Sequence, residues 1–193
     1  RDDDTGTLEY YTYAMDNVNN TIDRKQSLAV PPGGNFFALA ENVVALGFAY
    51  AFDLDGDGVL DTYNAGGAET IIWAVDTDGD NDLDYNLDRN LDGVIDENDG
   101  PGQGGNGLIF NSGISPLRNF AGALMPDIPA NNIRAVRVYI LARSAVPKPQ
   151  YTNNVTYTVG HQIISPATDA DATNDNVPMK VGDLIIRCRN MGL

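Results

Sequence analysis

Apolar and polar residues alternate most regularly in "IRAVRVYILARS", residues 133–144. Val136, Val138, Ile140 and Ala142 fall on one side, and Arg137, Tyr139, Leu141 and Arg143 on the other. The period of two predicts a strand with its valine–isoleucine side in the core. "VGDLIIRCRN", 181–190, repeats the pattern with Leu184, Ile186 and Cys188 on one face. The two segments are expected to be adjacent strands of one antiparallel sheet that bury Val136, Val138, Ile140, Leu184 and Ile186. In "LGFAYAF", 46–52, Leu46, Phe48, Tyr50 and Phe52 share a face. "TLEYYTYAM" (7–15), "ETIIWAV" (69–75) and "VTYTV" (155–159) read as strands from their β-branched and aromatic content. Helix signals are weak: "LAENVVAL", 39–46, allows a turn or two. "VPPGGN" (30–35) is turn material, "GPGQGGNG" (100–107) a flexible connector and "SPATDADATNDNVP" (165–178) a mobile polar loop. The expected class is β-dominated α+β, a single domain over residues 1–193.

Charge changes this picture. The 193 residues carry a formal net charge of −15. Between Asp53 and Asp99 lie 13 Asp and 2 Glu against one base, Arg89, so this insert alone carries −14. The rest of the chain is nearly neutral. A surface this acidic repels phosphate, which argues against nucleic acid as a partner. The single cysteine, Cys188, permits no internal disulfide, so an extracellular chain needs another staple, and metal is one. No run of 18 apolar residues suggests a membrane span. The start, Arg1 followed by three Asp, lacks signal-peptide character and reads as a fragment or a processed product.

The spacing of the carboxylates gives them a purpose. Counted from Asp88, oxygen-bearing residues fall at positions 1 (Asp88), 3 (Asn90), 5 (Asp92), 9 (Asp96) and 12 (Asp99). Gly93 stands at position 6, where the loop turns, and Val94 at position 7 offers its backbone carbonyl. This is the EF-hand loop pattern, suited to Ca²⁺, which takes six to eight hard oxygens at about 2.3–2.6 Å. Position 12 is Asp rather than Glu, and "GPGQGG" follows, so no exiting helix is expected. The loop is EF-hand-like without helices, as in dockerin or thrombospondin type 3 repeats. Residues 53–64 fit the same template with Asp53, Asp55, Asp57, Gly58, the carbonyl of Val59, Asp61 and Asn64. The middle run offers Asp76, Asp78, Asp80, Asp82 and Asp84, but has Asn81 at position 6 and Leu87 at position 12. It is the poorest fit, and is expected to complete a neighbouring site rather than own one. Mg²⁺ suits such all-protein cages less well.

Nothing points to catalysis. His161 is the only histidine and reads as a surface or strand residue, while Cys188 reads as a core residue. "NSG", 111–113, lacks the strand–turn–helix setting of a nucleophile elbow. The glycines of 100–107 lack the Lys-Ser/Thr of a phosphate loop. The carboxylates stand in ligand spacing rather than as an acid–base pair.

"LAENVVALGFAY" (39–50), "NNIRAVRVYILARS" (131–144) and the ending "LIIRCRNMGL" (184–193) together resemble the C-terminal half of PilW-type minor pilins of type IV pili. J-class pseudopilins of type II secretion are similar in the same places. The resemblance runs from about residue 39 to the end, with the acidic loops as insertions. It implies a non-enzymatic subunit that initiates or caps a pilus, with other pilins as partners, outside a Gram-negative-type envelope. It implies an antiparallel sheet packed by a long N-terminal helix, which this sequence lacks, and membrane contact only through that helix. Two other readings stand beside it: a calcium-stabilised extracellular adhesin or surface module, and a dockerin-like module. The strand at 69–75 and the glycine-rich tail count against the last.

Overall fold

The computed structural model describes residues 10–16, 19–27, 37–99, 115–166 and 176–188. The connectors expected at 30–35 and 100–107, and most of the loop at 165–178, lie outside them. The described chain is β-dominated, with only two three-residue 3-10 helices, Glu97–Asp99 and Ala130–Asn132. The strands are β1 Tyr10–Asp16, β2 Thr21–Ser27, β3 Phe37–Glu41, β4 Val43–Phe52, β5 Thr62–Ala65, β6 Ala68–Ile71, β7 Ala74–Val75 and β8 Asp82–Leu83. They continue with β9 Tyr85–Asn86, β10 Ser115–Pro116, β11 Ile128–Pro129, β12 Ile133–Arg143, β13 Tyr157–Val159, β14 Gln162–Ile164 and β15 Met179–Arg187.

The principal sheet has six strands in the order β10-β9-β7-β4-β12-β15, with β12 antiparallel to both β4 and β15. Strands β1 to β3 form a second antiparallel sheet, tied to the first where the Val43 N–H donates to the Asn20 carbonyl at 2.9 Å. The helical turn expected at 39–46 is absent. Asn42, at a φ of 61°, bulges the chain between β3 and β4 without reversing it: Glu41 pairs with Thr21, the Val43 N–H still reaches Asn20, and β-branched Val43 and Val44 begin β4.

The expected pairing of β12 with β15 is present: Val136 faces Ile186 and Val138 faces Leu184. The expected buried side is not. Ala135, Tyr139 and Leu141 are buried, while Val136 and Val138 are only half-buried and Ile140, Leu184 and Ile186 are exposed. The reason lies in Arg137 and Tyr139, which look polar in the sequence. The Arg137 guanidinium lies 5.1 Å from the Tyr139 ring centroid and 5.8 Å from that of Trp73, and its Nε donates to Asp183 at 2.9 Å. The charged end is thus paired at the sheet margin, and its stem covers aromatic surface.

On β4 the inward positions are the small ones. Val43, Ala45, Gly47, Ala49 and Ala51 are buried, whereas Phe48 points out and is 39% exposed. Small residues are required there because the β13–β14 hairpin crosses the sheet at backbone distance. A Cβ on Gly47 would stand 2.5 Å from the Val159 carbonyl oxygen, so only glycine fits. One core cluster therefore joins Ala45, Ala49, Ala51, Tyr139 and Leu141 to Tyr157, Val159 and Ile164 of the hairpin. A second gathers Phe52, Tyr63, Ile72, Leu83, Leu117 and Ile128 beneath the acidic insert. Two smaller expectations also change. Cys188 is half-buried beyond the end of β15, rather than in the core. His161 is half-buried in the β13–β14 turn, where burial lowers its pKa.

Strand direction positions the loops. β4 and β9 both run antiparallel to β7, so their C-terminal ends leave the sheet on the same side. The loops that follow them, 53–61 and 88–99, emerge together there. The loop between β7 and β9, 76–84, emerges at the opposite side.

Candidate metal centre

Three loops repeat one hydrogen-bonding scheme. In the first, Asp53 accepts the N–H groups of Gly56 and Gly58 (2.7 and 3.1 Å), Asp55 that of Asp57, and Asp57 that of Val59. In the second, Asp76 accepts from Gly79 and Asn81 (2.7 and 3.0 Å), Asp78 from Asp80, and Asp80 from Asp82. In the third, Asp88 accepts from Gly93 and Asp92 (2.7 and 3.1 Å), Asn90 from Asp92, and Asp92 from Val94. These bonds curl the backbone so that side chains one, three and five converge.

The curl needs two left-handed residues, at positions 4 and 6. They are Gly56 and Gly58 in the first loop, Gly79 and Asn81 in the second, and Leu91 and Gly93 in the third, with φ between 61° and 90°. Asparagine enters this region readily, so the Asn81 that weakened the sequence match is no obstacle. The middle run adopts the same backbone curl as the other two. In the first two loops the converging carboxylate oxygens lie within 4.8 Å of one another: Asp53 with Asp55 and Asp57, and Asp76 with Asp78 and Asp80.

The closing carboxylate differs from what the spacing suggests. Asp61 and Asp84, at position 9, each accept the N–H of position 2, from Leu54 at 2.9 Å and from Thr77 at 3.0 Å. The third loop uses position 12 instead: Asp99 accepts from Arg89, Asn90 and Asp96. Asp96 there is turned to cap Asn98. Asn64, the expected position 12 of the first loop, lies exposed on β5, and its Oδ1 accepts the Gly67 N–H of the β5–β6 turn. Val59, Val94 and Asp82 occupy position 7, where a backbone carbonyl completes such a shell; the Val59 and Val94 side chains are exposed. Asp55, Asp57, Asp78, Asp80, Asn90 and Asp92 are exposed, while Asp53, Asp88 and Asp99 are buried.

Sequence reasoning missed Tyr63. Its hydroxyl donates to Asp88, so the hairpin that follows the first loop supports the third. The Gly93 α-carbon region also packs on Ala65 and Thr70 of that hairpin. Nothing in the spacing signals this contact, which arises only when β4 and β9 are brought side by side. Arg134 was missed too; its Nε lies 3.9 Å from Asp53.

The donor set fits a hard divalent cation. It consists of short carboxylates, amide oxygens and carbonyls, with no thiolate or imidazole among the described residues. Burial pushes the carboxyl pKa values of Asp61, Asp84, Asp88 and Asp99 upward, and neighbouring carboxylates add to the effect. A raised folded-state pKa favours the protonated native state, so this contribution to stability is present at low pH and is lost as pH rises through the folded values. In chelator, the melting temperature should therefore climb as pH falls from neutral toward the ordinary carboxylate range. With calcium, acidification should lower it, because the ligands must be ionised. Parallel slopes in the two buffers, measured by calorimetry, would contradict this linkage.

Comparison with family models, with curated proteins and with solved structures returned no match. The reading of function therefore rests on the geometry and on the sequence motifs.

Proposed function

We propose that this chain is the calcium-binding, non-enzymatic head of a minor pilin-type subunit that helps initiate or tip a type IV pilus. One observation carries the reading. The face of the principal sheet made by Leu46, Phe48, Tyr50, Val136, Val138, Ile140, Leu184 and Ile186 is apolar, with Leu46 and Tyr50 of β4 and Val136 and Val138 of β12 half-buried and the other four exposed. An apolar patch of this extent marks a packing surface. Three strands about 4.8 Å apart are about as wide as one helix, about 10 Å across with its side chains. A pilin sheet needs such a face for its helix. Calcium neutralises the insert, and at the millimolar levels common outside cells it fills sites with Kd of about 10⁻⁴–10⁻³ M. The loops would then be largely empty in the cytoplasm and ordered after export, at the cell surface. A type II secretion pseudopilin would use the same surface.

The test is genetic. A strain lacking the gene should lose or reduce its surface pili. One carrying Asn at Asp53, Asp55, Asp57, Asp88 and Asp92 should be defective in a calcium-dependent way. Normal piliation in the deletion strain refutes the assembly role. The adhesin reading is compatible with an open surface depression beside the first loop, lined by Asp57, Asp61, Thr62, Glu69, Asn119 and Phe120. Phe120 is exposed there, as a contact residue for a ligand would be. Normal piliation with lost surface attachment would select that alternative.

A further inference from the structure

We propose that β15 is the seam along which two copies of this chain join their principal sheets edge to edge, in an antiparallel pairing centred on Ile185. The two edges of the sheet are treated differently. At one end, β10 is two residues long and contains Pro116, which cannot donate to a further strand. At the other, β15 runs nine residues in unbroken register with β12, without proline or bulge. No strand among the described residues pairs with its outer side. Leu184, Ile185 and Ile186, near its C-terminal end, are each about half exposed or more, so both faces of this edge are apolar and open. A long, regular, apolar edge of this kind is a template for strand addition.

The charges on β15 select the occupant and the register. A two-fold axis through Ile185 sets Asp183 of each copy opposite Arg187 of the other, and Leu184 opposite Ile186. Opposite charges and apolar pairs facing directly across a seam stabilise it. A register centred on Asp183 sets the two carboxylates against each other, and one centred on Arg187 sets the two guanidinium groups together. Asp183 already holds Arg137, yet its side chain is 44% exposed and keeps room for a second cation. The contact is self-complementary, as a closed two-fold interface requires. Because the axis is perpendicular to the sheet, the apolar faces of both copies lie on the same side and merge into one.

Sedimentation velocity on the chain with calcium present tests this. A concentration-dependent dimer is expected. Arg187→Glu and Ile185→Lys should each abolish it without lowering the melting temperature measured at dilutions where the parent is monomeric, since both side chains are exposed. The double exchange Asp183→Lys with Arg187→Glu should restore it. Ile185→Cys in a Cys188→Ser background should form a disulfide-linked dimer on mild oxidation, because residue 185 faces its own copy. A monomer at every concentration would overturn the proposal. So would a dimer indifferent to both single substitutions, or failure of the double exchange to restore it.

Discussion

Chelating calcium should lower the melting temperature by roughly 5–10 °C for each loop that was filled. Binding to the native state alone adds about 2.7 kcal/mol at 100 times Kd. Each kcal/mol moves the melting point of a domain of this size by roughly 2–4 °C. The metal-free state is held back by the charge density between Asp53 and Asp99 and by the burial of Asp53, Asp88 and Asp99. The loops should not be equivalent under mutation. Asp78→Ala removes an exposed ligand and should cost only the second loop's calcium-dependent increment. Asp88→Ala also strands the Tyr63 hydroxyl and the Gly93 N–H, so it should cost a further 1–3 kcal/mol or so even in chelator. Identical melting curves in calcium and in excess chelator would sink the claim.

Leu141→Asp should unfold the domain, and Val138→Asp should not. Leu141 is fully buried between β4, β12 and the β13–β14 hairpin, where a carboxylate finds no counter-ion. An unpaired buried charge is among the few changes that cost more than about 4 kcal/mol, comparable to the whole stability of many domains. Val138 stands three residues away on the opposite, partly open face, where an Asp side chain reaches water. Circular dichroism and urea titration of the two variants would decide. Equal loss in both would mean that the open face is covered in solution, and equal tolerance that the inward face is misassigned.

Strand content and the β12–β15 neighbourhood are legible in the chain because period two and β-branched content are local signals. Sidedness is not. β12 is apolar on both faces once Arg137 and Tyr139 are counted by their stems and rings, so alternation alone cannot say which side meets the core. On β4 side-chain size misleads for a different reason: large residues normally mark the core, but a close-crossing hairpin reverses the rule. The convergence of the side chains at positions 1, 3 and 5 is legible because each loop is built from its own sequence. The closing ligand depends on what lies beyond the loop. After the first loop the chain enters β5 and carries Asn64 away; after the third, a 3-10 turn brings Asp99 back. Tyr63 was invisible for the same reason, since 25 residues separate it from Asp88.

The inward lining of β4 has a practical consequence for anyone surveying this protein by mutation. Three of its five inward side chains are already alanine and a fourth is glycine, so truncation has almost nothing to remove. An alanine scan would report the strand as inert while its neighbours β12 and β13 respond. Its specificity is carried by what cannot be added. Each extra methylene at Ala45, Ala49 or Ala51 must displace a packed neighbour, and overpacking of this kind typically costs about 1–3 kcal/mol. A scan toward larger residues, rather than smaller ones, would find the centre of this fold.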